Sequence, residues 1–266
     1  MPADAHGPPP RLVHALVEGP SVLSGLEWHP VADSTNRLAA EAAARGVDEV
    51  YAVLADRQTA GRGRRGRGWQ APPGTSLLLS LVCRPQVPAD ALPLLGLLTG
   101  VALADAVEPL CAGVAVGLKW PNDLLVGGRK AAGILVESPA ARLAVVGVGV
   151  NVDWRAVQRP PALQAATSLA EAAGRGVDRW KVLAGFVGVF ARRYREWPAA
   201  PGGFLESYRR RCATLGRRVR VARPGAAGLL EGMAVGVDAR GRLQLRDDAG
   251  RLLAVSAGDV EHVRPA

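Results

Sequence analysis

Asp56-Arg57-Gln58-Thr59-Ala60-Gly61-Arg62-Gly63-Arg64-Arg65-Gly66-Arg67-Gly68-Trp69 is the stretch around which the rest of the chain is read. Apolar segments of strand length flank it, Val50 to Ala55 before and Leu77 to Val82 after. Glycines interleaved with arginines let a backbone close over a small anion and hold it with guanidinium forks. Gly61-Arg62-Gly63-Arg64-Arg65-Gly66 matches the GxGxxG pattern of dinucleotide sites, but that pattern needs a helix directly after the glycines. Here Gln70-Ala71-Pro72-Pro73-Gly74 and then a strand follow, which excludes that reading. The Lys-Ser/Thr of a phosphate-binding P-loop is also missing. As a plain connector or solvated basic loop, four glycines are costly in chain entropy. The stretch is therefore expected to be mobile when empty and to order on a ligand.

Outward from the loop, Asp33-Ser34-Thr35-Asn36 predicts a helix start, with the helix running through the Ala-rich stretch to Arg45 and Gly46 closing it. Ala91 to Leu110 carries apolar residues at helical spacing and reads as a core helix starting near Pro93. Val114 to Trp120, Leu124 to Val126, Ala131 to Glu137 and Arg142 to Val150 read as strands, with Gly127-Gly128 as a hairpin turn. Thr167 to Ala173, Asp178 to Trp197 and Phe204 to Cys212 read as helices. After Gly216 come five short strand segments separated by turns, the texture of a small β-barrel. The expected organisation is a disordered lead over 1–20, a catalytic α+β domain with a mixed, largely antiparallel sheet over 21–215, and a barrel over 216–266.

The chain has 266 residues, 48% hydrophobic and 21% charged, an ordinary globular balance. No apolar run is expected to span a membrane, and Met1 to Pro10 shows no export signal. Cys83, Cys111 and Cys212 have no CxxC spacing and read as buried thiols of a cytoplasmic protein. The net charge of +9 is nearly all arginine, a compositional bias rather than a nucleic-acid footprint. Against that background, Lys119 and Lys130 in one short segment carry more information.

Ser34, Thr35, Asn36 and Gln58 can each donate and accept hydrogen bonds, although a helix cap would also use such residues. Together they would satisfy a carbonyl flanked by N–H groups, such as a cyclic urea. Lys119 with the Gly/Arg loop suits a carboxylate being joined to a phosphate. Gly147-Val148-Gly149-Val150-Asn151 is a glycine-spaced strand end, which a bulge or close packing would also explain.

Gln58 to Trp69, Ser34-Thr35-Asn36, Lys119-Trp120-Pro121-Asn122-Asp123-Leu124, Arg129 to Glu137, Gly147 to Asn151 and Thr167-Ser168-Leu169 together resemble biotin protein ligases, in the same order. The resemblance implies a fold like that of class II synthetases with an SH3-like C-terminal barrel. It implies activation of biotin with ATP and Mg2+ to biotinyl-5′-AMP, then transfer to one lysine of a biotin carboxyl carrier domain. Lys119 and Arg64 are the implied catalytic residues. Biotin would meet Ser34, Thr35, Asn36, Gln58, Arg62, Gly63, Arg64, Lys119 and Gly133. The adenylate would meet Gly61, Arg62, Arg64, Arg67, Trp69, Asn122 and Asn151. Asn122 and Asp123 would orient Lys119 or help place the metal; no metal ligand is assigned. Some members carry an N-terminal DNA-binding module and repress transcription. The short lead implies a single-function ligase without sequence-specific DNA binding. A monomer or weak homodimer is expected, without a sequence feature that chooses between them. Lipoate or octanoate ligases share the fold and are the nearest alternative. A nucleic-acid contact through the Gly/Arg loop is the alternative of another class.

Overall fold

The computed structural model describes residues 7–18, 23–222 and 228–263. Its elements are α1 (Pro10–Val17), β1 (Gly25–Ala32), α2 (Thr35–Ala44), β2 (Tyr51–Gln58), β3 (Ser76–Cys83), α3 (Leu94–Val107), β4 (Val116–Lys119), β5 (Asp123–Val126), β6 (Arg129–Ala140), β7 (Leu143–Asn151), α4 (Leu169–Ala173), α5 (Arg179–Glu196) and α6 (Leu205–Arg211). Five strands close the chain: β8 (Arg218–Ala222), β9 (Leu229–Val237), β10 (Leu243–Arg246), β11 (Leu252–Val255) and β12 (Asp259–His262).

Seven strands form one sheet in the order β1-β2-β3-β7-β6-β5-β4. Only β1 and β2 run parallel; the other pairs are antiparallel, so the α+β class and the mixed, largely antiparallel sheet stand as expected. The β5–β6 hairpin turns on Gly127 and Gly128, both at positive φ (57° and 76°), as a two-residue turn of this hand demands.

Alternation along the strands divides the sheet into two faces. Leu77, Leu79 and Leu81 of β3 and Val146, Val148 and Val150 of β7 point into the main core. There they meet α3 and α5, whose Val182, Phe186 and Phe190 are fully buried. The opposite face is covered only at one end, where Ala39 and Ala43 of α2 pack on Val53, Val82 and Val145. The rest of that face is left for the site.

Leu94 to Cys111, α3 with the short turn after it, is long and apolar enough to cross a membrane by length and composition alone, although Asp105 and Glu108 interrupt it. It is 72% buried inside the protein. Packing between the sheet and α5 explains why it is apolar all round. Near its end, Asp105 pairs with Arg193 at 2.5 Å and Arg211 at 3.0 Å.

A disordered lead over 1–20 also needs correction. Residues 1–6 and 19–20 lie outside the described residues, but Pro10–Val17 is helical, with Pro at its first turn and Leu16 buried. Gly7 lies against the Trp28 ring. The sequence reading named no strand before Val50, yet Gly25–Ala32 forms β1 at the edge of the sheet.

The C-terminal strands form a five-stranded antiparallel sheet ordered β11-β10-β9-β8-β12. It docks on the larger sheet through backbone groups. Trp120 Nε1 donates to the Gly241 carbonyl (3.0 Å), and Gly241 sits against Leu94 and Leu97 of α3. Ala213 N donates to the Leu118 carbonyl (2.8 Å), which occupies the free edge of β4.

His262 lies 3.4 Å from Thr214 Oγ1 at this junction. Burial, with Lys119 and Arg217 nearby, pushes its pKa down to about 4. Between about pH 6.5 and 4 the unfolded chain takes up a proton that folded His262 refuses, so stability falls as pH drops through that window. His262→Gln should flatten the decline by on the order of 1 kcal/mol, the shift being discounted for the ring's partial exposure. Denaturation midpoints at pH 6.5 and 4.5 measure it; parallel declines in the two proteins would refute it.

Candidate functional site

The uncovered face of the large sheet has a floor made of glycine. Register places Leu78, Gly149, Gly133, Asp123 and Lys119 in one row across β3, β7, β6, β5 and β4. The next row holds Ser80, Gly147 and Leu135, and the one after it Val82, Val145 and Glu137. A Cβ on Gly147 would collide with the Asn36 carboxamide. One on Gly149 would lie 2.5 Å from the Trp69 indole, and one on Gly133 2.8 Å from it. The glycines therefore make room for side chains that come down from above the sheet. The resulting cavity has a volume of about 150 Å³, smaller than most small-molecule sites, because the Trp69 ring occupies the space over Gly133 and Gly149.

One end of the cavity is neutral and polar. Ser34 occupies the N-cap position of α2, yet its side chain makes no capping hydrogen bond. Gln58, the last residue of β2, accepts from Thr35 N (2.7 Å) and Thr35 Oγ1 (3.1 Å) through Oε1. That arrangement leaves the Gln58 Nε2 amide as the donor facing the cavity. Ser80, fully buried, lies 2.8 Å from Thr35 Oγ1 and donates to Asn36 Oδ1 at 2.6 Å. Asn36 Nδ2 donates to Glu137 Oε2 at 2.7 Å.

The Gly/Arg stretch forms the roof. It folds back on itself as a small hairpin, with Gly63 N donating to Arg67 O (2.6 Å) and Trp69 N to Gly61 O (2.8 Å). Arg65 and Gly66, at φ 58° and 73°, make its tip. The four arginines are held at three places. Arg62 pairs with Glu137 (2.9 Å), while Arg65 (3.4 Å) and Arg67 (2.7 Å) both reach Asp259 of β12. Arg64 Nη1 donates to the Gly258 carbonyl (3.2 Å) and to Asn122 Oδ1 (3.4 Å). Burial pushes the Arg64 pKa below the usual guanidinium value. Trp69 lies on Gly133 and Gly149 with its indole N–H buried and unpartnered among the described residues.

The charged end holds two lysines in different positions. Lys130 lines the cavity, pairs with Asp123 at 2.7 Å and stands 5.7 Å from the Trp69 ring centre. Lys119 does not line it. It sits one strand farther out, on the far side of Asp123. Burial lowers its pKa; Lys130 and Arg67 act in the same direction, against Asp123 and Asp259. Asn122 is held by its Nδ2 bond to the Ile134 carbonyl (3.0 Å), so its other end meets Arg64. A second, larger cleft between α3, β6 and the turn at 240–242 shares Arg64 and Asn122 with the first.

Ser34, Thr35, Asn36, Gln58, Arg62, Gly63, Arg64, Arg67, Trp69, Asn122 and Gly133 thus come together on one cavity. Gly61 lines a recess beside it. Asn151 is not on the wall: it is buried one step beyond Gly149, its Nδ2 bonded to the Thr167 carbonyl (2.9 Å) and its Oδ1 unpartnered among the described residues. Ser168, in the neighbouring motif, caps α4 in a capping box with Glu171. Lys130 and the pair Gly147 and Gly149 line the cavity, and Ser80 and Glu137 stand behind it as partners of Asn36; the sequence reading did not assign them to the site. Lysine scarcity and glycines two apart in a strand were the available signals.

No group of three or more His, Cys, Asp or Glu side chains could cage a metal among the described residues. The acidic groups around the site are already paired with cations or amides.

Residues 28–153 match the biotin/lipoate A/B protein ligase family, and residues 214–263 match the biotin protein ligase C-terminal domain. A biotin–[acetyl-CoA-carboxylase] ligase of Mycobacterium tuberculosis is 41% identical over 235 residues, covering 87% of this chain and 86% of that protein. A bifunctional ligase/repressor of Bacillus subtilis is 36% identical over 245 residues, covering 89% of this chain and 73% of that one. A biotin protein ligase from Aquifex aeolicus, solved with biotin and ATP, superposes with a TM-score of 0.78 at 28% identity over 90% of this chain and 99% of that one. With this sheet, this glycine floor and this arginine roof, the chain belongs to the biotin protein ligases of the biotin/lipoate A/B protein ligase family.

Proposed function

We propose that the protein joins biotin to ATP, giving biotinyl-5′-AMP and pyrophosphate, and then passes biotin to a lysine of a biotin carboxyl carrier domain. The observation that carries this reading is the polarity of the cavity. At one end Gln58 offers an amide donor fixed by Thr35, beside the uncapped hydroxyl of Ser34. That set suits the oxygen of a neutral urea. At the other end Lys130 and Arg64 present two cations. They would reduce the repulsion between carboxylate and phosphate and stabilise charge building on phosphorus. Lys119 contributes from behind Asp123.

Gly61, Arg67 and Trp69 are assigned to the adenylate, Trp69 by moving off Gly133 and Gly149 as ligand enters. Asn151 would act through the strand end, its free Oδ1 being the acceptor at that side. The hairpin roof shields the acyl phosphate from water. The second cleft, sharing Arg64 and Asn122, is the approach for the acceptor lysine, whose amine attacks the biotinyl carbonyl and expels AMP.

Magnesium ordinarily binds through one or two carboxylates plus substrate phosphates. The paired acidic residues fit that mode and not a protein cage, with Asp123 the carboxylate that would share the ion. When bound, Mg2+ would neutralise phosphate charge.

ATP–pyrophosphate exchange measured with biotin, lipoate, octanoate or no acid tests the reading. Exchange is expected with biotin alone; exchange with lipoate alone would overturn it.

A further inference from the structure

Glu137 belongs to no motif role assigned above, yet a single oxygen of its carboxylate receives two donors from opposite sides of the cavity. Asn36 Nδ2 reaches Oε2 at 2.7 Å from the start of α2, and Arg62 Nη2 reaches the same atom at 2.9 Å from the roof. The register row that carries Glu137 lies just past Leu135, where the cavity wall meets α2. The carboxylate accepts only, so it fixes which way the Asn36 amide faces. Asn36 Oδ1 must then accept, and it does so from Ser80. Ser80 in turn abuts Thr35, and Thr35 N–H holds Gln58. A continuous chain therefore runs from a roof arginine to the amide that faces the neutral end of the cavity.

We infer that Glu137 is a positioning residue that couples closure of the Gly/Arg roof to the readiness of the neutral end for its ligand. When Arg62 docks on Glu137, the oxygen that orients Asn36 is also the oxygen that holds the roof down. Ordering one end lowers the cost of ordering the other, which is positive coupling between loop closure and ligand capture. Glu137 touches no reacting atom in this scheme. The coupling rests on the biotin reading for its ligand, but its structural half does not.

The test uses the full chain with Glu137→Gln, Arg62→Ala and both together. Glu137→Gln keeps volume and one acceptor while removing the charge that holds Arg62. Glu137→Gln should raise the biotin KM about tenfold with the ATP KM and the kcat within about twofold, and adding Glu137→Gln to Arg62→Ala should change the biotin KM of Arg62→Ala by less than about twofold. A general loosening of the site would instead move the ATP KM and kcat as well. In the ligand-free chain, amide hydrogen exchange across residues 61–69 should rise about fivefold or more in Glu137→Gln while α5 is unchanged. An unchanged biotin KM, effects that multiply in the double variant, or unchanged exchange in the roof would each overturn the coupling. Absence of biotin-dependent activity in the wild-type chain would count against the biotin reading instead, and the hydrogen-exchange comparison would then decide the role of Glu137.

Discussion

Lys130→Ala is expected to lower biotin-dependent ATP–pyrophosphate exchange by about a thousandfold while the far-ultraviolet spectrum stays native. Lys130 is the lysine on the cavity wall, and its ammonium is held by Asp123 at 2.7 Å beneath the Trp69 ring. Removing it deletes a cation where two anions must meet, and it also leaves the Asp123 carboxylate partly buried without its partner. Both changes raise the electrostatic cost of bringing carboxylate and phosphate together. Lys119→Ala should cost much less, about tenfold, because Asp123 stands between that ammonium and the cavity. Reversal of the two magnitudes would return the central role to Lys119.

Arg64→Ala is expected to lower kcat and kcat/KM together by about a hundredfold or more, with little change in biotin KM. Arg64 is the roof arginine that faces both clefts, and its guanidinium is aimed by the Gly258 carbonyl and Asn122. Burial disfavours its charge, so an anion placed against it is stabilised more than one at an exposed arginine would be. Arg64→Lys should recover little, since one ammonium cannot both reach the acceptors that Nη1 meets and present the planar guanidinium's remaining donors to an anion. A pure rise in biotin KM would place Arg64 in uniform substrate binding and outside the chemical step.

Much of this architecture is legible before any coordinates. Gly127-Gly128 marks the β5–β6 hairpin, and the five short segments after Gly216 are the five strands β8 to β12. Periodicity could not reveal β1, because Pro30 and exposed Val31 blur the alternation expected of a strand that pairs on one side only. The lysines show a different limit. Strict alternation back from Gly133, which faces the site, would turn Lys130 away from it. A register shift between Leu124 and Leu125 inserts one extra residue on β6 and reverses that parity. Which lysine reaches the cavity is thus decided by a bulge, and residue identities alone do not encode where a ladder slips. Glu137 was hidden for a related reason: its partners lie 75 and 101 residues away along the chain.

If Arg65 and Arg67 meet the phosphates, their attachment to Asp259 would give the small C-terminal sheet a thermodynamic stake in nucleotide binding. One carboxylate on β12 holds the two guanidiniums that a triphosphate would also attract. Whatever phosphate takes from Asp259 is subtracted from the adhesion between the two sheets, and reciprocity requires that weakening this adhesion tighten the hold on nucleotide by the same factor. Adhesion between the two sheets and occupancy by nucleotide would then rise and fall against each other.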